Sequence, residues 1–238
     1  SPPFPLPTKV FLIHEDGSYC FVTPPPLNDK KDYYRLNIGF TINSEGNADI
    51  DYDYHFFGKA AESIRYSFKY APPEQRKKFF ENSGIEVREL QLGSFTETRN
   101  PFNIKLTGTM KNLAQVLDEE TMVLSNIIAF DAYKDITAAN NRQYPISLTQ
   151  SVYSIENNSY KFPAGFKIKR LPRNYTFKKP FRFRSEKYSF DGSSFQVSVE
   201  SKNEDHTVPV DNINEFKKYA EELQKHESSV KNIIFEKK

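Results

Sequence analysis

The chain has 238 residues, enough for one large domain or two smaller ones that each bury a core. Its 33 lysines and arginines nearly balance 31 acidic residues, which excludes a strongly basic nucleic-acid-binding protein as a description of the whole chain. Aromatic residues make up 15% of the chain, too many for a disordered protein, and the single cysteine excludes an intrachain disulfide and a cysteine-based zinc site.

Residues 1–30 are predicted to be a proline-rich lead-in followed by a short hairpin. Residues 1–7 hold four prolines, and they have neither the positive charge nor the apolar stretch of a signal peptide. We therefore expect them to be a linker that follows an upstream part of a longer protein. Apolar stretches then flank Asp16-Gly17, a dipeptide typical of a tight hairpin turn.

Residues 31–143 are predicted to form a β-sandwich-like domain with an inserted pair of helices. Apolar and polar side chains alternate in its strands, which indicates that one face of each strand is buried. The period changes to that of a helix over residues 60–71, and Pro73 begins a second helix that ends near Gly84. The predicted strands are 34–42, 48–56, 85–92, 102–110 and 121–130.

Residues 144–238 are predicted to form a second β-sandwich-like domain, because the pattern weakens over residues 131–145. Asp211 is expected to cap a helix with apolar residues at helical spacing, and residues 230–235 are expected to close the domain as a strand. The other predicted strands are 151–155, 160–162, 166–171, 175–184 and 187–201, the last with a turn at Asp191-Gly192. The predicted fold is therefore mainly β with a few helices, in two antiparallel sandwich-like domains.

The sequence assigns no residue a catalytic or metal-binding role. Cys20 lies within a predicted strand rather than at a helix start, and although His14 lies across the hairpin, an ordinary packed or surface cysteine is favoured over a nucleophile. No two histidines have the spacing of a local metal site, and the nine glycines form no phosphate-binding loop. We therefore predict no catalytic residue, no metal site and no cofactor.

Three aspartates, Asp49, Asp51 and Asp53, share the polar face of one predicted strand. A calcium ion takes six to eight oxygen ligands, usually from a loop that curls around it. Because a strand does not curl in this way, a hydrated face is favoured over a weak cation site.

The stretch 167–187, called the basic stretch below, carries nine lysines and arginines and one acidic residue. One interpretation is a cationic, aromatic-lined surface that binds an anionic polymer or partner. The candidate binding residues are Lys178, Lys179, Arg182 and Arg184. The other interpretation, which the alternation favours, is a strand with Phe177 and Phe183 facing the core and with Lys178, Arg182 and Arg184 facing water.

The order of several short motifs resembles that of one bacterial protein family. In the second predicted domain the motifs are Arg142-x-Tyr144-Pro145-Ile146, Phe162-Pro163-x-Gly165-Phe166-Lys167-Ile168-x-x-Leu171-Pro172, Pro209 followed by Glu215-Phe216-Lys217-Lys218, and Ile233-Ile234-Phe235. In the first domain they are Gly46-Asn47-Ala48 and Pro73-Glu74-Gln75-Arg76. The chain resembles the C-terminal β-rich region of bacterial transglutaminase-like proteins of unknown function, which also have an N-terminal β domain and a transglutaminase-like core.

The resemblance implies that this chain is not the catalytic part of such a protein. The cysteine, histidine and aspartate of the core would lie upstream, and no segment here matches their motif, so no catalytic residue is carried over. The resemblance implies an accessory or structural module of an exported, periplasmic or cell-surface protein, which packs on the upstream domains or positions substrate for them. A binding module for an anionic polymer or protein remains the alternative; nucleic acid is not favoured, and no apolar run is long enough to span a membrane.

Overall fold

A computed structural model describes residues 9–23, 31–125, 127, 143–148, 152–204 and 206–237. The fold is mainly β, as predicted, with two helices inserted after the first long hairpin and a C-terminal helix followed by a closing strand. The strands are β1 (Val10–Ile13), β2 (Tyr19–Val22), β3 (Tyr33–Ile42), β4 (Ala48–Phe56), β5 (Ile85–Leu92), β6 (Phe102–Met110), β7 (Ala114–Asp118), β8 (Thr121–Ser125), β9 (Ile146–Leu148), β10 (Val152–Lys161), β11 (Phe166–Ile168), β12 (Tyr175–Lys179), β13 (Arg182–Phe190), β14 (Ser194–Asn203), β15 (His206–Val208) and β16 (Asn232–Lys237). The helices are α1 (Gly58–Tyr70), α2 (Pro73–Glu81) and α3 (Ile213–Val230).

The largest element is an eight-stranded sheet with the order β12-β13-β14-β10-β3-β4-β6-β5. Its neighbouring strands are antiparallel except for β10 and β3, which run parallel. A four-stranded sheet with the order β11-β16-β8-β7 packs against one face of it, as the contact of Phe195 of β14 with Phe235 of β16 shows, with ring centroids 5.9 Å apart. We call the covered face of the eight-stranded sheet its inner face and the opposite face its outer face.

The helical pair covers another part of the inner face. Ala61, Arg65 and Phe68 recur at helical spacing on α1 and are buried, and Phe80 of α2 packs on Tyr52 of β4. Pro73 is the first residue of α2, where its fixed backbone angle suits a helix start and no amide hydrogen bond is lost. These elements confirm the predicted change from strand to helix after β4.

The two predicted domains share one sheet and one large core. Strand β10, from the second predicted domain, pairs with β3, from the first, over the register Tyr153↔Tyr33 to Lys161↔Thr41. Buried residues of both halves, such as Phe40 and Phe195, belong to one apolar cluster. Of the predicted boundary region, residues 131–145, the part 131–142 lies outside the described residues. Strands from before and after this region therefore form one sheet, although the sequence pattern predicts two separate domains.

Several local predictions differ from the structure. The predicted strands 151–155 and 160–162 are one strand, β10, and the short strands β9 and β15 were not predicted. The predicted strand 175–184 is two strands, β12 and β13, joined by a turn at Pro180-Phe181. Strand β7 was not predicted, because Ala114 is its one buried residue and its side chains do not alternate between buried and exposed. Asp211 does not cap α3; it lies in a 3-10 turn, and the residue before the helix, Asn212, makes no side-chain capping hydrogen bond.

Candidate functional site

The outer face of the eight-stranded sheet forms the floor of a groove of about 860 Å³. Successive residues of a strand point to opposite faces, so when Phe40 and Ile50 enter the core, Gly39 and Asp51 lie on the outer face. The groove crosses seven strands, from β13 to β5. With strands about 4.8 Å apart, it is about 29 Å long.

The register of the strands arranges the groove residues in two cross-strand rows. In the first row, Lys187 pairs with Ser198, Ser198 with Asn157, Asn157 with Asn37, Asn37 with Asp53, and Asp53 with Lys105. In the second row, the same pairings connect Ser189, Gln196, Ser159, Gly39, Asp51 and Thr107. Gln91 and Glu89 of the edge strand β5 end the two rows. Every residue of both rows is polar or glycine, and all of them line the groove.

Hydrogen bonds between neighbouring strands hold the centre of the first row. The side-chain amide of Asn157 donates to Oδ1 of Asn37 at 2.9 Å, and the hydroxyl of Ser198 donates to Oδ1 of Asn157 at 2.9 Å. Since Oδ1 of Asn37 already accepts a hydrogen bond, the amide N–H groups of Asn37 are the donors that it can offer to a ligand. The row is therefore a connected polar strip across three parts of the chain that are distant in sequence.

The charges of the groove nearly cancel. Its carboxylates are Asp51, Asp53 and Glu89, and its lysines are Lys105 and Lys187. Asp53 also contacts Nε2 of His55 at 2.8 Å. The predicted sharing of one face by Asp49, Asp51 and Asp53 is confirmed, and Asp49 pairs with Arg88. No group of three metal-ligating side chains occurs in the part of the chain that the structure describes.

The basic stretch does not present its four candidate binding residues to solvent together. Lys178 is exposed, whereas Lys179 lies with its Nζ 3.4 Å from a carboxylate oxygen of Glu222 and 4.3 Å from the ring centre of Tyr219. The prediction that Arg182 and Arg184 face water is wrong, because these side chains are only 5% and 6% exposed.

The reason is the turn at Pro180-Phe181, which divides the predicted strand 175–184. In the hairpin, Phe177 pairs with Arg184, so both lie on the inner face, and the inward-facing residues change from odd to even numbers across the turn. Phe177 is buried as predicted, but Phe183 lies on the outer face and is only half-buried. This turn reverses the predicted orientations of Arg182, Phe183 and Arg184 in β13.

Arg184 belongs to a buried charged network. It donates through Nε to Glu186, a carboxylate that is only 1% exposed, and the hydroxyl of Tyr188 donates to the other oxygen at 2.5 Å. His226 of α3 contacts that same oxygen through Nε2 at 2.6 Å, with its ring stacked on Tyr175. Burial alone would raise the pKa of Glu186, but the hydrogen bond from His226 and the charge of Arg184 outweigh it and lower the pKa to about 2.

Arg182 and Arg184 also line a smaller cavity of about 240 Å³ on the inner face. Tyr34 and Glu156 lie on its wall, and the Tyr34 hydroxyl donates to Glu156 at 3.1 Å. Burial and the negative charge of Glu156 raise the pKa of Tyr34 to about 12. The two arginines therefore lie among interior polar groups rather than on a surface that a polymer could reach.

Cys20 and His14 do come together, with Sγ 3.5 Å from Nε2. They lie on the two-stranded hairpin of β1 and β2, in an exposed position, and no helix begins beside them within residues 9–23, the part of this region that the structure describes. From the sequence, this pairing was considered and an ordinary cysteine was favoured over a nucleophile.

The comparisons with known proteins add no relative to this description. The chain matched no protein-family model, no curated protein and no solved structure. Among the described residues, no helix is both long enough and apolar enough to cross a membrane.

Sequence reasoning missed the groove as a site. The polar residues of its strands were visible as the outward positions of each alternating pattern. However, the sequence gives no sign that β10 pairs with β3, and this parallel pairing places Asn157 beside Asn37 and makes the two rows continuous.

Proposed function

We propose that this chain is a non-catalytic accessory module of an exported bacterial transglutaminase-like protein and that the groove is its binding surface. The observation that carries the proposal is the pair of cross-strand polar rows in a groove of about 860 Å³. An extended surface of this kind can hold a chain-like ligand in one orientation, which is what positioning a substrate for a neighbouring domain requires. The transglutaminase-like assignment and the export rest on the resemblance of the motifs.

The structure of the outer face supports a binding role over an enzymatic one. The groove presents amides, hydroxyls, carboxylates and lysines spaced by the sheet, and the Asn37–Asn157–Ser198 hydrogen bonds fix the side chains in place. Rigid positioning of polar groups on strands favours specific binding because few rotamers must be ordered when the ligand arrives.

The test compares the binding of four classes of soluble polymer by the purified chain: neutral polysaccharides, heparin, poly-lysine and an unfolded carboxymethylated polypeptide. The proposal expects retardation by at least one class in native affinity gels, and loss of that retardation when Gly39, in the middle of the groove, is replaced by valine. It also expects no turnover of peptide or amine substrates by the chain itself. Retardation that no groove substitution affects, or turnover that Cys20→Ala abolishes, would contradict it.

The alternative, an anionic ligand on the basic stretch, has less support. It requires Lys178, Lys179, Arg182 and Arg184 to act together, but Arg182 and Arg184 are buried and Lys179 contacts Glu222. The heparin arm of the same experiment tests it directly.

A further inference from the structure

One glycine in the groove has no structural reason to be glycine. Gly39 lies in the interior of β3, where glycine weakens a strand because it adds backbone entropy to the unfolded state and packs no side chain. A Cβ atom built on Gly39 would meet only Cβ and the carbonyl oxygen of Asp51, at 3.8 and 3.9 Å, which are ordinary contacts. Neither the backbone nor the packing therefore demands a glycine at this position.

Gly108, in the neighbouring strand β6, shows the contrast. A Cβ atom there would lie 2.5 Å from the carbonyl oxygen of Glu86, so packing explains that glycine fully. At Gly39 the space that a side chain would take belongs to the open groove. A strand glycine of this kind is typical of a place where a ligand approaches the backbone closely.

The chemistry of the rows indicates which ligand would do so. Between Lys187 at one end and Asp53 and Asp51 toward the other, the two rows consist of amides, hydroxyls and Gly39, whose polar groups both donate and accept hydrogen bonds. The hydroxyl groups of a sugar also both donate and accept hydrogen bonds, so they match these groups. A polyanion would instead need an excess of positive charge, but the groove has two lysines against three carboxylates.

A peptide fits the same surface less well. Peptides usually bind by adding a strand to a free sheet edge or by placing apolar side chains in pockets. The groove instead runs across the strands on the face of the sheet, where the backbone groups are already paired, and both rows are without an apolar side chain.

We infer that the groove binds a neutral, hydroxyl-rich polysaccharide, laid across the strands with its closest approach at Gly39. This inference rests on the proposed function and names the class of ligand for the same groove. At about 29 Å, the rows span several sugar units, so the inferred ligand is a polymer rather than a monosaccharide.

The experiment uses affinity gels with dextran, xylan, mannan and β-1,3-glucan, together with heparin and the unfolded polypeptide. We expect at least one neutral polysaccharide to retard the wild-type chain, equally at low and moderate salt because the ligand carries no charge. Gly39→Val should weaken binding at least tenfold while the thermal unfolding midpoint stays close to that of the wild type. The matched control is Thr176→Ile, a similar change on an exposed residue of the outer face of β12, outside the groove, which should bind normally.

A second variant keeps the test valid if Gly39→Val does not fold. Gln196→Ala removes an exposed amide of the second row and should weaken binding about fivefold, the effect of one hydrogen bond. The inference fails if no neutral polysaccharide retards the wild type or if retardation survives both substitutions. Groove-dependent binding of the polypeptide or heparin alone would overturn the inference and leave the proposed function standing, whereas no groove-dependent binding of any polymer would remove both.

Discussion

The buried carboxylate of Glu186 predicts a specific dependence of stability on pH. Its pKa falls from 4.5 to about 2 in the folded protein, since the hydrogen bonds and charge of His226, Tyr188 and Arg184 overcome the cost of burial. A carboxylate with a lowered pKa stabilises the fold at pH values above its unfolded pKa, and this contribution is lost as the pH falls toward the folded pKa. The size of the shift corresponds to about 3 kcal/mol at pH 7 and to about half of that at pH 3.

Replacing Glu186 with glutamine removes the charge and keeps the shape of the side chain. At pH 7 the variant should lose about 3 to 5 kcal/mol of unfolding free energy, because Arg184 stays buried without the carboxylate that faces it. The difference between wild type and Glu186→Gln should shrink steadily between pH 5 and pH 3. Over this range the Glu186 carboxylate becomes protonated in the unfolded wild type but stays ionised in the folded protein, so the wild type loses stability as the pH falls.

Urea unfolding followed by circular dichroism at a series of pH values measures this difference, since the chain has no tryptophan to serve as a probe. The matched control is Glu236→Gln, which breaks an exposed pair between Lys169 Nζ and a Glu236 oxygen at 2.6 Å and should cost less than about 1 kcal/mol. A loss for Glu186→Gln that is no larger than for Glu236→Gln, or that does not change with pH, would refute the reasoning.

Two further predictions concern the other arginines and lysines. Arg65 donates to the carbonyl oxygens of Ser94, Glu97 and Asn100 at 3.1, 3.2 and 2.7 Å. Arg65→Met should therefore lower the free energy of unfolding, measured with urea, by about 3 kcal/mol. A loss below about 1 kcal/mol would show that other groups hold the loop of residues 94–100 in place. Lys178 is exposed and Arg184 is buried. Lys178→Gln should therefore change the free energy of unfolding by at most about 0.5 kcal/mol, and Arg184→Gln should lower it by about 3 kcal/mol. Equal effects of the two substitutions would contradict this difference in burial.

Local features of the fold were predictable from the sequence because short-range physics determines them. The alternation in β3 and β4, the helical spacing on α1 and the proline at the start of α2 each depend on residues within one element. The Asp191-Gly192 turn was also found, because its residues favour the turn: the Asp191 carboxylate accepts hydrogen bonds from the amides of Ser193 and Ser194, at 2.9 and 2.8 Å.

The groove depends on long-range pairing, which no local pattern encodes. Asn37 and Asn157 are 120 residues apart in the sequence, yet one hydrogen bond joins them. Their strands run parallel, so no hairpin turn connects them and none in the sequence indicates that they pair. The sequence could therefore show that these positions are polar and outward-facing, but not that they form one continuous surface.

The turn at Pro180-Phe181 yields the last prediction, because it decides which phenylalanines stabilise the fold. If residues 175–184 were one strand, Phe177 and Phe183 would share the core face and would be equally important. In the structure Phe177 is only 1% exposed, whereas Phe183 lies half-buried on the outer face. Phe177→Ala should therefore cost about 3 to 5 kcal/mol through lost burial and a cavity, and Phe183→Ala only about 1 kcal/mol.

The same hairpin supplies an internal control for that comparison. Phe181, at the turn, packs on Phe216 of α3 with ring centroids 5.2 Å apart and is 3% exposed, so Phe181→Ala should resemble Phe177→Ala in its cost. Urea unfolding of the three variants ranks them directly. If Phe183→Ala lowered the free energy of unfolding as much as Phe177→Ala, Phe183 would have to lie on the core face. That placement requires a single strand through Pro180, with Arg182 and Arg184 on the solvent-facing side of the sheet, and would contradict the turn.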